Sequence, residues 1–126
     1  MSIRLQNIYA CQRRAWRLRV DRDDESFAEF DFPRGWRWTL NLVEISDGGV
    51  GFRLEGGRPS IEIGTVIDGG AIQVGKVRIA GAFRIMHVTP DSEGGTICGA
   101  AFTPASPGDV RTMSQLLDAL EKHAPR

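Results

Sequence analysis

Apolar and polar residues alternate with a period of two through much of this chain. The clearest run covers residues 36–43, where Trp36, Trp38, Leu40 and Leu42 alternate with Arg37, Thr39, Asn41 and Val43. It predicts a long strand that leads directly into the polar, glycine-containing turn after Ser46. Shorter alternations over 16–20 and 26–32 predict two earlier strands, with the Asp-rich stretch between them as their turn. Further strands are predicted over 50–54, 60–66, 72–79, 83–88 and 96–102, separated by Gly56-Gly57, Gly69-Gly70, Gly81 and Gly94-Gly95. Fifteen glycines fit a sheet that turns often and bends at tight corners.

The period changes near the C-terminus. Ser106-Pro107-Gly108-Asp109 places a capping serine before proline at the first helical position, with an acid three residues after the cap, and so predicts helix initiation. Val110, Met113, Leu117 and Leu120 then recur on one face, predicting an amphipathic helix over 107–124 that lies across the sheet. Many short strands and one terminal helix predict a mainly β fold: a six- or seven-stranded antiparallel β-barrel with one C-terminal α-helix, closed so that few strand edges stay open.

At 126 residues the chain is the size of one domain, and 41% hydrophobic with 25% charged residues is the composition of a globular protein. No apolar run approaches the roughly 20 residues that span a bilayer, and the N-terminus lacks an export h-region. A cytoplasmic location without membrane insertion is the expectation. Cys11 and Cys98 have no metal-site or redox spacing and read as reduced thiols. No metal or catalytic signature surrounds His87 or His123, and no nucleotide-hydrolysing motif occurs, so a non-catalytic protein without a cofactor is expected.

The formal net charge of zero hides a local asymmetry. Residues 1–20 carry five arginines and no acid, whereas 21–31 carry six acids and Arg22. A neutral total argues against a general nucleic-acid binder. The basic arm suits a compact dianion, or else it is a solvated tail whose arginines pair with the adjacent acids.

Two pieces of sequence carry candidate chemistry. Arg13 and Arg17, four positions apart with Arg14 between, present planar guanidinium forks that can meet the O6 and N7 edge of guanine and stack on its ring. Some thirty residues on, Glu44-Ile45-Ser46-Asp47-Gly48-Gly49 offers a carboxylate, a hydroxyl and backbone N–H groups that glycine leaves accessible. The same turn also reads as a good hairpin corner, and Trp16, Trp36 and Trp38 read as packing residues.

In this order the two motifs resemble the PilZ family, whose pattern is RxxxR followed by (D/N)xSxxG after the second long strand of a small barrel. Arg13 and Arg17 match the first motif, and Ser46 and Gly49 match the second. Glu44 stands where the family has Asp or Asn, one methylene longer. Val50-Gly51-Phe52-Arg53-Leu54 is similar to the strand that follows the turn, and Gly99-Ala100-Ala101-Phe102 to the Gly-x-x-Phe of the last strand. The resemblance covers roughly residues 11–123, implying an N-terminal arm over 1–10 and a barrel domain with its helix over 11–126. It implies a non-catalytic sensor for cyclic di-GMP, with Arg13, Arg14, Arg17, Glu44, Ser46 and Gly49 as ligand contacts. Such a sensor relays the signal to a protein partner in motility, pilus, exopolysaccharide or biofilm control, and Gln12-Arg13-Arg14 is similar to the flagellar-brake type. The alternative is a PilZ-like protein–protein interaction module that has lost the nucleotide; Glu44 favours that reading, and the retained arginines and turn oppose it.

Overall fold

The computed structural model describes residues 3–7, 15–20, 26–32, 35–54, 61–90 and 94–123, with 3–7, 15–20 and 123 as backbone. In chain order these form β1 (Ile3–Asn7), β2 (Ala15–Val20), β3 (Ser26–Asp31), β4 (Arg37–Ser46), β5 (Gly49–Leu54), β6 (Val66–Val74), β7 (Val77–Pro90), β8 (Thr96–Pro104) and α1 (Pro107–His123). Hydrogen bonding runs β1-β2-β4-β3-β6-β7-β8-β5, and a further β4–β5 pairing brings the last strand back to β4. Strands β4, β3, β6, β7, β8 and β5 thereby close a six-stranded antiparallel barrel with one C-terminal helix, the fold expected from the alternation.

Inside the barrel is an aromatic cluster. Phe30, Trp38, Phe52, Phe83 and Phe102 are all buried, with neighbouring ring centroids 5.1–6.2 Å apart. Tilted and edge-on pairs at this spacing add roughly 0.5–1.5 kcal/mol each to the burial of their area. Leu40, Leu42, Ile45, Ile72, Ile79, Ile85 and Cys98 fill the remaining interior. Burial pushes the Cys98 thiol up to about 11; Cys11 lies outside the described residues. On the outer face Glu29 of β3 accepts from Arg78 at 2.7 Å and pairs with Arg37 at 3.0 Å.

Several sequence expectations are corrected. The single strand expected over 72–79 is a hairpin: Val74 pairs with Val77 across Gly75-Lys76, and Gly75 takes a left-handed φ of 62°. The strand expected over 60–66 begins only at Val66. Residues 61–65 instead run irregularly beside β7, where Gly64 N–H donates to the Ile85 carbonyl at 2.7 Å and Ile85 N–H to that of Thr65 at 2.9 Å. Gly69-Gly70 and Gly81, expected as separators, lie within β6 and β7. Gly70 and Gly81 pair with each other because aromatic rings cross there: a Cβ on Gly70 would lie 2.5 Å from Cε2 of Phe83. Trp36 stands just before β4 and is 58% exposed rather than packed.

The first two expected strands do not pair with each other. β3 occupies residues 37–41 of β4 and β2 occupies residues 44–46, so the two lie end to end along one edge of that long strand. Residues 3–7, within the expected arm, form β1 against β2. Their Ile3-Arg4-Leu5-Gln6 alternation is a strand pattern too short to have stood out.

Helix α1 starts as its cap predicts. Asp109 N–H donates to Ser106 Oγ at 3.1 Å, and the Ser106 hydroxyl donates to Asp109 Oδ2 at 2.6 Å. Asp109 Oδ1 also accepts from Ala80 N–H at 3.2 Å, which ties the helix start to β7. Met113, Leu116, Leu117 and Leu120 pack on the barrel, whereas Val110, expected on that face, is 53% exposed. Val110 sits at one margin of the stripe in the first turn, whereas Leu116, at the opposite margin, is buried.

Candidate functional site

The site is built by a slip in the alternation of β4. Trp38, Leu40 and Leu42 point inward, and strict alternation would bury Glu44 next. The register against β5 shifts between Leu42 and Glu44, so Ile45 enters the core while Glu44 and Ser46 reach the outer surface. A β-bulge re-aims side chains in this way without ending the strand.

Ser46 and Gly49 frame the turn between β4 and β5. The Ser46 hydroxyl donates to the Gly49 carbonyl at 3.3 Å, and Gly48 C=O accepts from Phe102 N–H at 2.9 Å, which holds the corner on β8. Only glycine fits at 49, because a Cβ there would stand 2.9 Å from the Ala100 carbonyl oxygen.

Strand β2 brings the second arginine to this corner. Its register sets Ala15 opposite Ser46, Trp16 opposite Ile45 and Arg17 opposite Glu44. Residues directly opposite in an antiparallel ladder share a face, so Arg17 takes a position on the outer face with Glu44 and Ser46. Arg17, Glu44, Ser46 and Gly49 are thus brought together. Arg13 and Arg14 lie outside the described residues.

The ladder continues past the expected residues. Glu44 pairs with Gly51, Gly51 with Gly99, and Gly99 with His87, so one row crosses β2, β4, β5, β8 and β7. The Glu44 side chain lies over Gly51, whose Cβ would be 3.2 Å from Glu44 Cβ and 3.5 Å from Oε2. At the other end a Cβ on Gly99 would fall on the Nε2–Cε1 edge of the exposed His87 imidazole. In the sequence Gly51 and Gly99 read as strand residues and His87 carries no signature. The available signal was glycine inside strands, which marks a place where another group approaches closely. Among the described residues, no group of three or more His, Cys, Asp or Glu is placed to hold a metal ion, and no helix is long and apolar enough to cross a membrane.

The PilZ domain family model matches residues 12–119, a span that holds the two motifs, the barrel and most of α1. The chain belongs to the PilZ domain family. PilZ domains are non-catalytic, so the chain is not an enzyme. Among solved structures this PilZ domain is similar to the K. pneumonia MrkH–c-di-GMP complex, at a TM-score of 0.75 and 14% identity over 92% of this chain and 54% of the other. It is also similar to the Bacillus subtilis inhibitor of motility MotI/DgrA, at a TM-score of 0.67 and 14% identity over 88% and 56%. The PilZ domain of Escherichia coli YcgR with c-di-GMP aligns at a TM-score of 0.66 and 18% identity over 89% and 93%. The chain therefore spans about half the length of MrkH and MotI and nearly all of the isolated YcgR domain. No curated protein matches it significantly.

Proposed function

We propose that this PilZ domain is a cyclic di-GMP receptor that passes the second-messenger signal to a protein partner in the cytoplasm. The observation that carries this reading is the register of β2 on β4, which puts Arg17 opposite Glu44 and one step along the ladder from the Ser46 turn. Family membership supports it, as do similar folds solved with c-di-GMP in MrkH and YcgR.

In the proposed complex Arg13 and Arg17 grip guanine edges and phosphate oxygens, and Arg14 adds charge. Each charge-assisted hydrogen bond contributes about 1.5–3 kcal/mol. Ser46 donates its hydroxyl to a phosphate or guanine oxygen in exchange for its bond to the Gly49 carbonyl, and Glu44 accepts from guanine N1–H and N2–H. The bare Gly49 lets the ligand reach the backbone. For the relay, the exposed Ile63, Val66 and Met86 offer apolar contact area to a partner, since 63–66 runs beside Arg84–Met86 of β7. Similarity to an inhibitor of motility makes motility control the first process to examine.

Calorimetric titration with cyclic di-GMP tests the reading. Saturable heat is expected, with at least tenfold weaker binding for Arg13→Ala or Arg17→Ala, about 1.4 kcal/mol or more. Glu44→Asp, which restores the shorter acid, is expected to bind more tightly than the natural protein. The absence of both heat and chemical-shift change at high ligand would leave the interaction-module reading in place of the receptor.

A further inference from the structure

We infer that His87 is an additional ligand-contacting residue, forming the far wall of the same site opposite Arg17; this rests on the receptor reading above. Nothing in the RxxxR or (D/N)xSxxG motif reaches β7. The ladder does, through the unbroken row Arg17, Glu44, Gly51, Gly99, His87.

At about 4.8 Å per strand, Glu44 and His87 stand about 14 Å apart along the sheet, and Arg17 and His87 about 19 Å. The two positions between Glu44 and His87 carry no side chains, and each is overlain from its own side: Gly51 by the carboxylate arm of Glu44, Gly99 by the imidazole of His87. A flat ligand held at the arginine end and lying along the row therefore meets the imidazole next. Gly99 fixes that geometry, because any larger residue would push the ring off the floor.

Imidazole suits this place. It is an aromatic ring on which a purine base stacks, and each ring nitrogen donates or accepts a hydrogen bond. A ligand with two guanines and two phosphates presents both kinds of partner. His87 is exposed, so its contacts are open to a ligand rather than committed to the core. The same face of β7 carries the exposed Arg84, two strands from Gly49 through Ala101, which adds positive charge to that wall.

The test is cyclic di-GMP titration of the wild type and His87→Ala by calorimetry, with the histidine Cε1–H resonances followed by NMR. The chain has two histidines, and the signal lost in His87→Gln identifies that of His87. Affinity at least fivefold weaker in His87→Ala is expected, at an unchanged melting temperature, together with movement of the His87 resonance in the wild type as ligand is added. Equal affinity in wild type and His87→Ala overturns the inference and leaves the receptor reading intact. Weaker binding without movement of the resonance also overturns it, since the effect would then pass through the fold. A wild type that gives no heat removes the receptor reading and this inference together.

Discussion

Replacing Gly81 by alanine sets two opposing effects against each other, and the barrel interior decides between them. Gly81 lies within β7, opposite Gly70 in β6 and Pro104 in β8, and its φ is outside the left-handed region. Backbone conformation therefore permits alanine, and strand propensity alone would make the variant more stable by about 0.5–1 kcal/mol. Packing opposes this. The new Cβ would lie 2.6 Å from Cζ and 2.8 Å from Cε1 of Phe102, and would press on the Thr103 carbonyl oxygen. Carbon atoms pack best at about 3.5–4.0 Å, so ring and backbone must both give way. The Phe102 ring has little room to do so, being 4% exposed with its centroid 5.1 Å from that of Phe83. Overpacking of this kind costs about 1–3 kcal/mol. Subtracting the propensity gain leaves a net loss of up to about 2.5 kcal/mol, centred at about 1 kcal/mol, or roughly 4 °C in melting temperature. Urea unfolding should show a lower midpoint at unchanged slope. In a Phe102→Leu background the same substitution should cost less, giving a coupling of roughly 1 kcal/mol. A Gly81→Ala protein with an unchanged or higher midpoint would refute the claim that ring packing dictates glycine here.

Two further expectations follow from polar contacts. Ser106→Ala removes the hydroxyl that meets Asp109 N–H and should lower stability by about 0.5–2 kcal/mol in denaturant unfolding. The hydrogen bond from Arg78, aided by the charge of both Arg78 and Arg37, holds Glu29 below its usual value of 4.5 despite partial burial. Its contribution is thus present above that value and is lost as pH falls through the lowered one. Relative to Glu29→Gln, the natural protein should lose about 0.2–1 kcal/mol more on acidification, as expected for an exposed pair; stability–pH curves that stay parallel would count against this role.

The fold was legible because most strands bury one face only, so alternation speaks directly, as over Trp38, Leu40 and Leu42. It misled where something other than a turn required glycine. Gly70 and Gly81 make room for rings contributed by residues far along the chain, and no local pattern distinguishes such a glycine from a corner. The hairpin at Gly75-Lys76 was hidden because apolar residues flank it on both sides. At the site, Ser46 and Gly49 could be read from the motif. The bulge that turns Glu44 outward left a trace in Val43-Glu44-Ile45-Ser46, where the apolar phase slips by one residue. His87 itself carries no signature; only the strand-interior glycine opposite it marks the place, and Gly99 becomes its neighbour only through strand pairing.

The shared edge of β4 has an architectural consequence. The ring of six strands is complete without β1 and β2; among the described residues β1 pairs with β2, and β2 joins the ring where β4 extends past β3. The arginine-bearing hairpin is an annex with its own small set of backbone bonds, so its docking strength can be tuned by substitution without reopening the barrel. Detached, it would bare the Glu44–Ser46 margin, a template onto which the corresponding hairpin of another copy could add in the same register.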